Sequence, residues 1–212
     1  GGREGLIWKQ PENTMCQLLG MNCNIPTDIC FSFTGFQQRG GGTDVHADGW
    51  GIAFFEGKGV RLFLDPLPSA QSPIAELVRN YPIRSLNVIA HIRKATQGIV
   101  TLENTHPFMR ELWGRYWVFA HNGNLPQFQP QLDGSFMPVG DTDSEHIFCW
   151  LLQSLHQRFG NAPPGRDASF CLDREKMMDE TKGEGQQIID PSCTLIFEAE
   201  EAEADVMRRP PR

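Results

Sequence analysis

The sequence has 212 residues, of which 40% are hydrophobic, and a formal net charge of −7. This composition indicates a single domain with an apolar core. The hydrophobic runs are far shorter than the roughly 20 residues of a membrane-spanning helix, and the first residues lack the basic-then-apolar order of a signal peptide. These features argue against a membrane protein, a secreted precursor and a wholly disordered chain, so no membrane partner is expected.

The elements are predicted from apolar runs and helix caps, and strands dominate the early part of the chain. Short apolar runs predict strands at Gln17–Gly20, Trp50–Phe55, Val60–Leu64, Leu86–Ile92 and Tyr116–His121, with a further strand at Ser192–Phe197. Helices are predicted from an Asp28 cap to about Gln38, from Pro73 to about Asn80 behind a Ser72 cap, and from Ser144 to Phe159. Short hairpin-like turns join the strands, which favours an antiparallel α+β fold over a doubly wound parallel sheet.

Three zones differ in composition. Residues 1–14 are polar and are expected to be a disordered leader or tag, while residues 15–160 carry the apolar runs of a folded domain. The segment 161–212 is Pro-bounded, and 11 acidic and 3 basic residues lie between Asp173 and Asp205, against 15 acidic and 16 basic in the rest of the chain. We expect this tail to be largely disordered. Because no basic stripe is present, no nucleic-acid partner is expected.

The cysteines indicate the compartment. The chain contains six cysteines but no C-x-x-C pair, so neither a zinc knuckle nor a thioredoxin motif is supported. A chain of this length is also too long for a small disulfide-stapled scaffold. We therefore predict a reducing, cytoplasmic location.

A candidate nucleophile stands at the start of the first predicted strand. If Met15 is the initiator, its removal leaves Cys16 as the first residue, with a thiol and a free α-amine on one amino acid. The amine, with an unperturbed pKa near 8, can then act as the base for its own side chain. The alternative is an ordinary buried thiol.

Three further clusters follow apolar runs and can supply the rest of a catalytic site. Arg93 and Thr96 follow a strand and can bind a carboxylate, although a surface Arg in a turn is the simpler interpretation. The Asn122 amide and the Gly123 N–H can form an oxyanion hole, or merely a turn. Asp143 can bind an ammonium group, or only favour the N-terminus of the helix. Together these groups match glutamine or another γ-glutamyl amide.

The order of these motifs resembles the class II glutamine amidotransferases of the N-terminal-nucleophile hydrolase superfamily. The phrases MCQLLGMNCNIPTDICFSFTGF, DGWGIAFFEGKG, ENTHPF, RELWGR and HNGNL resemble the stand-alone bacterial YafJ-type branch in particular. The resemblance covers residues 15–159 and implies an αββα sandwich of two antiparallel sheets. We match no motif of the family's continuation to residues 161–212, so we expect this sandwich to be incomplete.

The resemblance also implies roles for individual residues. Cys16 attacks the amide carbon to form a γ-glutamyl thioester, and Asn122 and Gly123 stabilise the oxyanion. Other residues match those with which the family binds the α-carboxylate and the α-ammonium of the substrate, and we call these residues the clamps. A further set of residues supports the N-terminal residue. The clamp residues are Arg93, Thr96 and Asp143, and the supporting residues are Arg39, Gly40, His91 and His106.

Other mechanisms remain open. A histidine lies next to three of the motifs, so a Cys–His dyad using His91, His106 or His121 competes with the α-amine, although hydrogen bonds to loop backbones are the simpler role. Relatives also hydrolyse γ-glutamyl peptides, including in glutathione breakdown, and a catalytically silent partner-binding relative is a third interpretation. A synthase or peptidase subunit is the expected type of partner.

A metal enzyme is the remaining alternative. Asp44, His46 and Asp48 are close in sequence, but their spacing matches no recognised ligand set. We therefore expect no metal and no cofactor.

Overall fold

The computed structural model describes residues 16–41, 48–94, 99–123, 125, 128–161 and 194–198. Within these ranges no helix is long and apolar enough to cross a membrane. The predicted leader, Thr96, Asp44, His46 and most of the predicted tail lie outside the described residues.

The first sheet contains four antiparallel strands in the order β1-β4-β2-β3. The strands are β1 (Gln17–Asp28), β2 (Trp50–Glu56), β3 (Gly59–Asp65) and β4 (Arg84–Ile92). All four predicted strands are confirmed, but β1 is much longer than the predicted Gln17–Gly20. Its second half continues pairing with β4 as far as Asp28 opposite Arg84, through a register shift between Asn22 and Thr27. That half is polar and largely exposed, so hydrophobicity alone gives no indication of it.

The second sheet has the order β5-β6-β7, also antiparallel among the described strands. Its strands are β5 (Phe108–Leu112), β6 (Arg115–His121) and β7 (Thr194–Glu198). The predicted strand near the C-terminus is therefore confirmed as β7. Strand β5 is not among the predicted strands, because its central residues include Arg110 and Glu111, which are charged and not buried. A tight turn joins β5 to β6, with positive φ values of 60° at Trp113 and 74° at Gly114, as a type I′ hairpin requires.

Among the described residues, three α-helices cover the sheets: α1 (Cys30–Arg39), α2 (Pro73–Asn80) and α3 (Asp143–Phe159). The prediction for α2 is confirmed, because Ser72 Oγ accepts a hydrogen bond from Ala75 N at 3.1 Å and Pro73 opens the helix. The prediction that Asp28 caps α1 is wrong. The N-cap residue is Ile29, and no side chain caps the helix, because Asp28 is still part of the β1–β4 ladder.

Alternating side chains divide the core into layers. In β2, Ile52 and Phe54 pack under α1 and α2, whereas Ala53 and Phe55 face the second sheet. Strand residues alternate between the two faces of a sheet, so one apolar run supplies two layers. The far side of the second sheet packs on α3 through a cluster that includes Phe119. The layer order is therefore helix, sheet, sheet, helix, which confirms the αββα sandwich.

The strand ends nearest Cys16 converge at one edge of the sandwich. Gln17 at the start of β1 and Trp50 at the start of β2 both lie opposite Ile92, the last residue of β4. The residues that precede β1 and β2 and those that follow β4 therefore share this edge. Strand β6 of the second sheet packs against β4 of the first sheet. The segment that follows His121 is therefore brought close to the first sheet.

Candidate active site

Cys16 is held at the end of the β1–β4 ladder, directly against the main chain of Lys94. Its Sγ accepts a hydrogen bond from Lys94 N at 3.1 Å and donates one to Lys94 O at 3.4 Å. Burial raises the pKa of the Cys16 thiol, while the Lys94 main chain and the nearby charge of Arg93 act in the opposite direction. The thiol is therefore half-buried, fixed and mostly protonated near neutral pH.

Arg93 lies next to this thiol and is only 3% exposed. Its Nη1 donates to the Ile99 carbonyl at 2.9 Å, and its main-chain N donates to Gly49 O at 2.8 Å. Burial lowers the pKa of Arg93, and the carboxylate of Asp48 partly offsets this effect. The guanidinium keeps its charge, because an arginine side chain is not deprotonated in proteins. A fixed cation beside a nucleophile is a suitable partner for a substrate carboxylate.

The segment after β6 contacts Cys16 directly. Asn122 Nδ2 donates to the Cys16 carbonyl oxygen at 2.6 Å. The amide nitrogen carries two hydrogens, so this bond uses one of them. At Gly123, a Cβ atom would lie 2.5 Å from His121 Nε2, so only glycine allows the main chain to approach the ring this closely. The candidate oxyanion donors are thus held beside the candidate nucleophile.

Asp143 is connected to the same segment from the start of α3. Its Oδ2 accepts from Leu125 N at 2.5 Å, and its Oδ1 accepts from Ser144 N at 2.8 Å. The helix cap itself is Thr142, whose Oγ1 accepts from Glu145 N at 3.2 Å. Asp143 therefore fastens the chain beyond Gly123 to α3 and does not act as the cap.

Arg39 contacts the residue that follows Cys16, whereas its neighbour Gly40 contacts Ser69. Arg39 Nη1 donates to Gln17 Oε1 at 3.1 Å, one residue beyond the thiol. Gly40 packs tightly on Ser69, because a Cβ at this position would lie 1.9 Å from the Ser69 hydroxyl. Of these two contacts, the one from Arg39 constrains the residue next to Cys16.

The histidines occupy the core behind this edge. The rings of His91 and His106 are buried with centroids 4.4 Å apart, and His106 also packs on Phe108 at 4.4 Å. Neither His106 ring nitrogen has a hydrogen-bond partner among the described residues, so the expected hydrogen bonds to loop backbones are wrong for this residue. Burial drives the pKa of His106 well below 6.5, with the positive charges of its neighbours as a further cause.

A Cys–His dyad is not formed among the described residues. The Cys16 thiol hydrogen-bonds to the main chain of Lys94, and His121 Nδ1 instead lies 3.1 Å from Ser144 Oγ. The described ranges also contain no group of three or more His, Cys, Asp or Glu side chains that could hold a metal ion. Cys16, Cys23 and Cys149 are free thiols.

Sequence reasoning missed one buried ion pair close to Asp143. Glu145, 1% exposed, pairs with Arg110 from β5 and accepts main-chain hydrogen bonds from Val139 at 3.1 Å and Gly140 at 2.7 Å. The only sequence indication was the capping-box spacing of Thr142 and Glu145. The carboxylate holds the turn before α3 rather than closing the box.

Comparison with known protein families identifies the family to which this chain belongs. The family described as "Glutamine amidotransferases class-II" matches residues 15–211, from one residue before Cys16 almost to the C-terminus. Residues 161–211 lie within this match, so the expectation that the chain departs from the family after residue 160 is wrong. The chain belongs to this family.

Individual relatives agree with this membership. The Escherichia coli (strain K12) protein named "Putative glutamine amidotransferase YafJ" is 62% identical over 156 residues, which are 74% of this chain and 61% of the relative. The 2.0 Å crystal structure of a predicted glutamine amidotransferase from Pseudomonas aeruginosa PA01 superposes with a TM-score of 0.52 and 50% identity, over 70% of this chain and 58% of that one.

A more distant relative carries a different name. The "Gamma-glutamyl-hercynylcysteine sulfoxide hydrolase" of Mycobacterium tuberculosis (strain ATCC 25618 / H37Rv) is 34% identical over 97 residues, 45% of this chain and 36% of the relative. The chain matches no more than about three fifths of the length of any of these three proteins.

Proposed function

We propose that this amidotransferase hydrolyses the side-chain amide of glutamine, with Cys16 as nucleophile in the form of the protein in which Cys16 is the first residue. The observation that carries the proposal is the contact of 2.6 Å between Asn122 Nδ2 and the Cys16 carbonyl, beside a buried Arg93. It joins a nucleophile, an oxyanion donor and a carboxylate-binding cation at one edge of the sandwich.

The proposed reaction begins with the thiol. The α-amine of an N-terminal Cys16 takes the thiol proton, and Sγ attacks the amide carbon to form a tetrahedral oxyanion. Asn122 Nδ2 and Gly123 N–H donate to that oxyanion. The C–N bond then breaks, the ammonium form of Cys16 returns the proton, and ammonia leaves. Water hydrolyses the resulting thioester to glutamate and restores the thiol.

The same geometry supports the assignment of the substrate clamps. Arg93 binds the α-carboxylate, with Thr96 close in sequence, and Asp143 binds the α-ammonium. Asp143 Oδ2 accepts one main-chain N–H and has capacity for a second donor, whereas Oδ1 already accepts from both the main-chain N–H and the hydroxyl of Ser144. Arg39 and Gly40 support the N-terminal residue, and the buried pair of His91 and His106 supports the strands behind it.

A second candidate is hydrolysis of a γ-glutamyl peptide such as glutathione. The observation that favours it is the relative named as a γ-glutamyl-hercynylcysteine sulfoxide hydrolase. The nucleophile, oxyanion donors and clamps would be the same, and only the leaving amine would be larger. Family membership is also the ground on which we propose a synthase or peptidase partner subunit.

The test measures product release from protein that begins at Cys16 and from the chain that retains residues 1–15. Ammonia release from glutamine and glutamate release from glutathione separate the two substrates. We expect Cys16→Ala to abolish turnover, Asn122→Ala to lower kcat by about 10²–10³, and the free thiol Cys23→Ala to leave it unchanged as the matched control.

Labelling with diazo-oxo-norleucine, a glutamine-analogue electrophile, gives an independent readout by mass spectrometry. One adduct on Cys16 is expected in the protein that begins at this residue. Labelling at Cys23 instead contradicts the assignment of the nucleophile. Equal turnover by the chain that retains residues 1–15 contradicts the α-amine as base. Turnover of neither substrate favours the silent relative.

A further inference from the structure

Asn104 is a buried amide whose three hydrogen bonds are directed at two loops of the candidate site. It is 1% exposed. Its Nδ2 donates to Ile99 O at 3.1 Å and to Asp141 Oδ1 at 2.6 Å, while its Oδ1 accepts from Asp141 N at 2.9 Å. Both amide hydrogens and the carbonyl oxygen are therefore used, which fixes the orientation of the side chain.

One of these bonds connects Asn104 to the carboxylate clamp. The Ile99 carbonyl accepts from Asn104 Nδ2 and also from Arg93 Nη1, at 2.9 Å. A carbonyl oxygen has two lone pairs, so the two donors are held by the same atom without competing. The position of the Arg93 guanidinium thus depends on where Asn104 holds the Ile99 carbonyl.

The other two bonds connect Asn104 to the turn that leads into α3. Asp141 lies two residues before Asp143, with only the cap residue Thr142 between them. Gly140 packs against the same amide, because a Cβ there would lie 2.1 Å from Asn104 Oδ1. The contact therefore fixes the main chain immediately before the residue assigned to the substrate ammonium.

We propose that Asn104 is a positioning residue that sets the separation between the carboxylate clamp at Arg93 and the ammonium clamp at Asp143. It makes the site select an amide that carries both an α-carboxylate and an α-ammonium. The inference rests on the proposed function of this site. Asn104 touches neither the nucleophile nor the clamped groups directly, so its effect must appear in substrate discrimination.

The test compares three amides that differ only in the clamped groups. Glutamine has both groups, glutaramate lacks the α-ammonium, and 4-aminobutanamide lacks the α-carboxylate. In protein that begins at Cys16, we expect Asn104→Ala to lower kcat/KM for glutamine by about 10- to 100-fold, mainly through KM. For the two truncated amides, which engage one clamp each, the loss should be less than about threefold.

Matched variants separate positioning from folding. Asn22→Ala removes another side-chain amide pair, the exposed bond from Asn22 Nδ2 to Asn87 at 2.7 Å, and should leave all three kcat/KM values unchanged. Asn104→Asp places two carboxylates together and should be as damaging as the alanine variant. Adding Asp141→Asn restores a donor opposite an acceptor at residue 141, but a carboxylate at residue 104 still cannot donate to the Ile99 carbonyl. The double variant should therefore recover only the part of the loss that comes from the turn before α3.

Two results overturn the positioning role: an unchanged kcat/KM for glutamine in Asn104→Ala, or an equal loss for all three amides. Calorimetric titration of glutamine into Cys16→Ala, with and without Asn104→Ala, tests the clamps without chemistry. If glutamine binds but is not hydrolysed by the parent protein, the proposed function fails. The positioning role then stands if Asn104→Ala weakens glutamine binding about tenfold more than glutaramate binding, and falls if it does not. If glutamine does not bind, both are overturned.

Discussion

The buried carboxylate of Glu145 provides a sharp test of how the turn before α3 is held, and the variant is Glu145→Ala. The side chain accepts hydrogen bonds from Arg110, Val139 N and Gly140 N, so one substitution removes the acceptor for all three donors. The turn leads directly to Asp143. A stability measurement on this variant therefore reports on the support of the candidate site.

The magnitude follows from the exposure of each partner. Breaking a fully buried ion pair costs about 3–5 kcal/mol, because one charge is left uncompensated. The Arg110 side chain is 24% exposed, against 2% for Glu145, so the guanidinium can return partly to water and the full penalty does not apply. The two main-chain N–H groups each lose an acceptor, at about 1–3 kcal/mol where water cannot replace it.

From these components we expect Glu145→Ala to lower the free energy of unfolding by about 2–4 kcal/mol. For a chain of this size, that loss corresponds to a decrease in Tm of roughly 4–16 °C. Urea unfolding followed by tryptophan fluorescence measures the free energy, and differential scanning calorimetry measures Tm.

The matched control is Glu76→Ala, which breaks the exposed pair between Glu76 and Arg79 at 2.9 Å. An exposed pair of this kind contributes at most about 1 kcal/mol, so the control should shift stability by less than that. If Glu145→Ala and Glu76→Ala destabilise the protein equally, the argument from burial is refuted. Glu145→Gln separates charge from shape, and it should fall between the parent and the alanine variant.

Three further predictions concern thiol reactivity, pH and backbone space. Burial raises the pKa of Cys16 above 9.0, so in the chain that retains Met15 its alkylation by iodoacetamide should keep accelerating above pH 9, and a plateau below pH 9 contradicts this. The pKa of His106 lies well below 6.5 in the folded state, so the unfolded chain binds its proton first as the pH falls. Stability should therefore drop below pH 6.5 with a slope of up to about 1.4 kcal/mol per pH unit, and urea titrations of His106→Phe should lack this component. In α1, Gly35→Ala has open space and should stabilise by about 0.5–1 kcal/mol, whereas Gly51→Ala puts a Cβ 2.3 Å from the His106 carbonyl and should destabilise by about 1–3 kcal/mol or more. Thermal unfolding of this pair tests the geometry, and shifts of the same sign contradict it.

The elements that the sequence predicts well are those whose evidence is local. Helix α2 is predicted from Ser72 followed by Pro73, and the hydroxyl makes the expected capping bond. Strand β2 is predicted from a continuous apolar run, since both of its faces are buried between a helix layer and a second sheet. The order of the short motifs along the chain likewise indicates the family.

The elements that the sequence does not predict depend on distant partners. The second half of β1 is polar and largely exposed, and the middle of β5 is polar and not buried. Both segments are strands because β4 and β6 provide hydrogen-bonding edges. Asp28 has the local sequence pattern of a helix cap, but its main chain is still paired with β4. The local pattern cannot show this pairing, so it predicts the wrong cap. Local sequence sets propensity, and pairing across the sheet overrides it.

The sequence alone determined which chemical groups this member of the family offers: a thiol behind Met15, a cation at Arg93, and an amide and a glycine at Asn122 and Gly123. Only the tertiary structure decided that 106 residues of separation along the chain end in a contact of 2.6 Å between Asn122 and Cys16. It also revealed that Asn104 connects two loops of the same site. The physical reason is that hydrogen bonds between distant segments depend on how the two sheets pack, and no local pattern of residues encodes that packing.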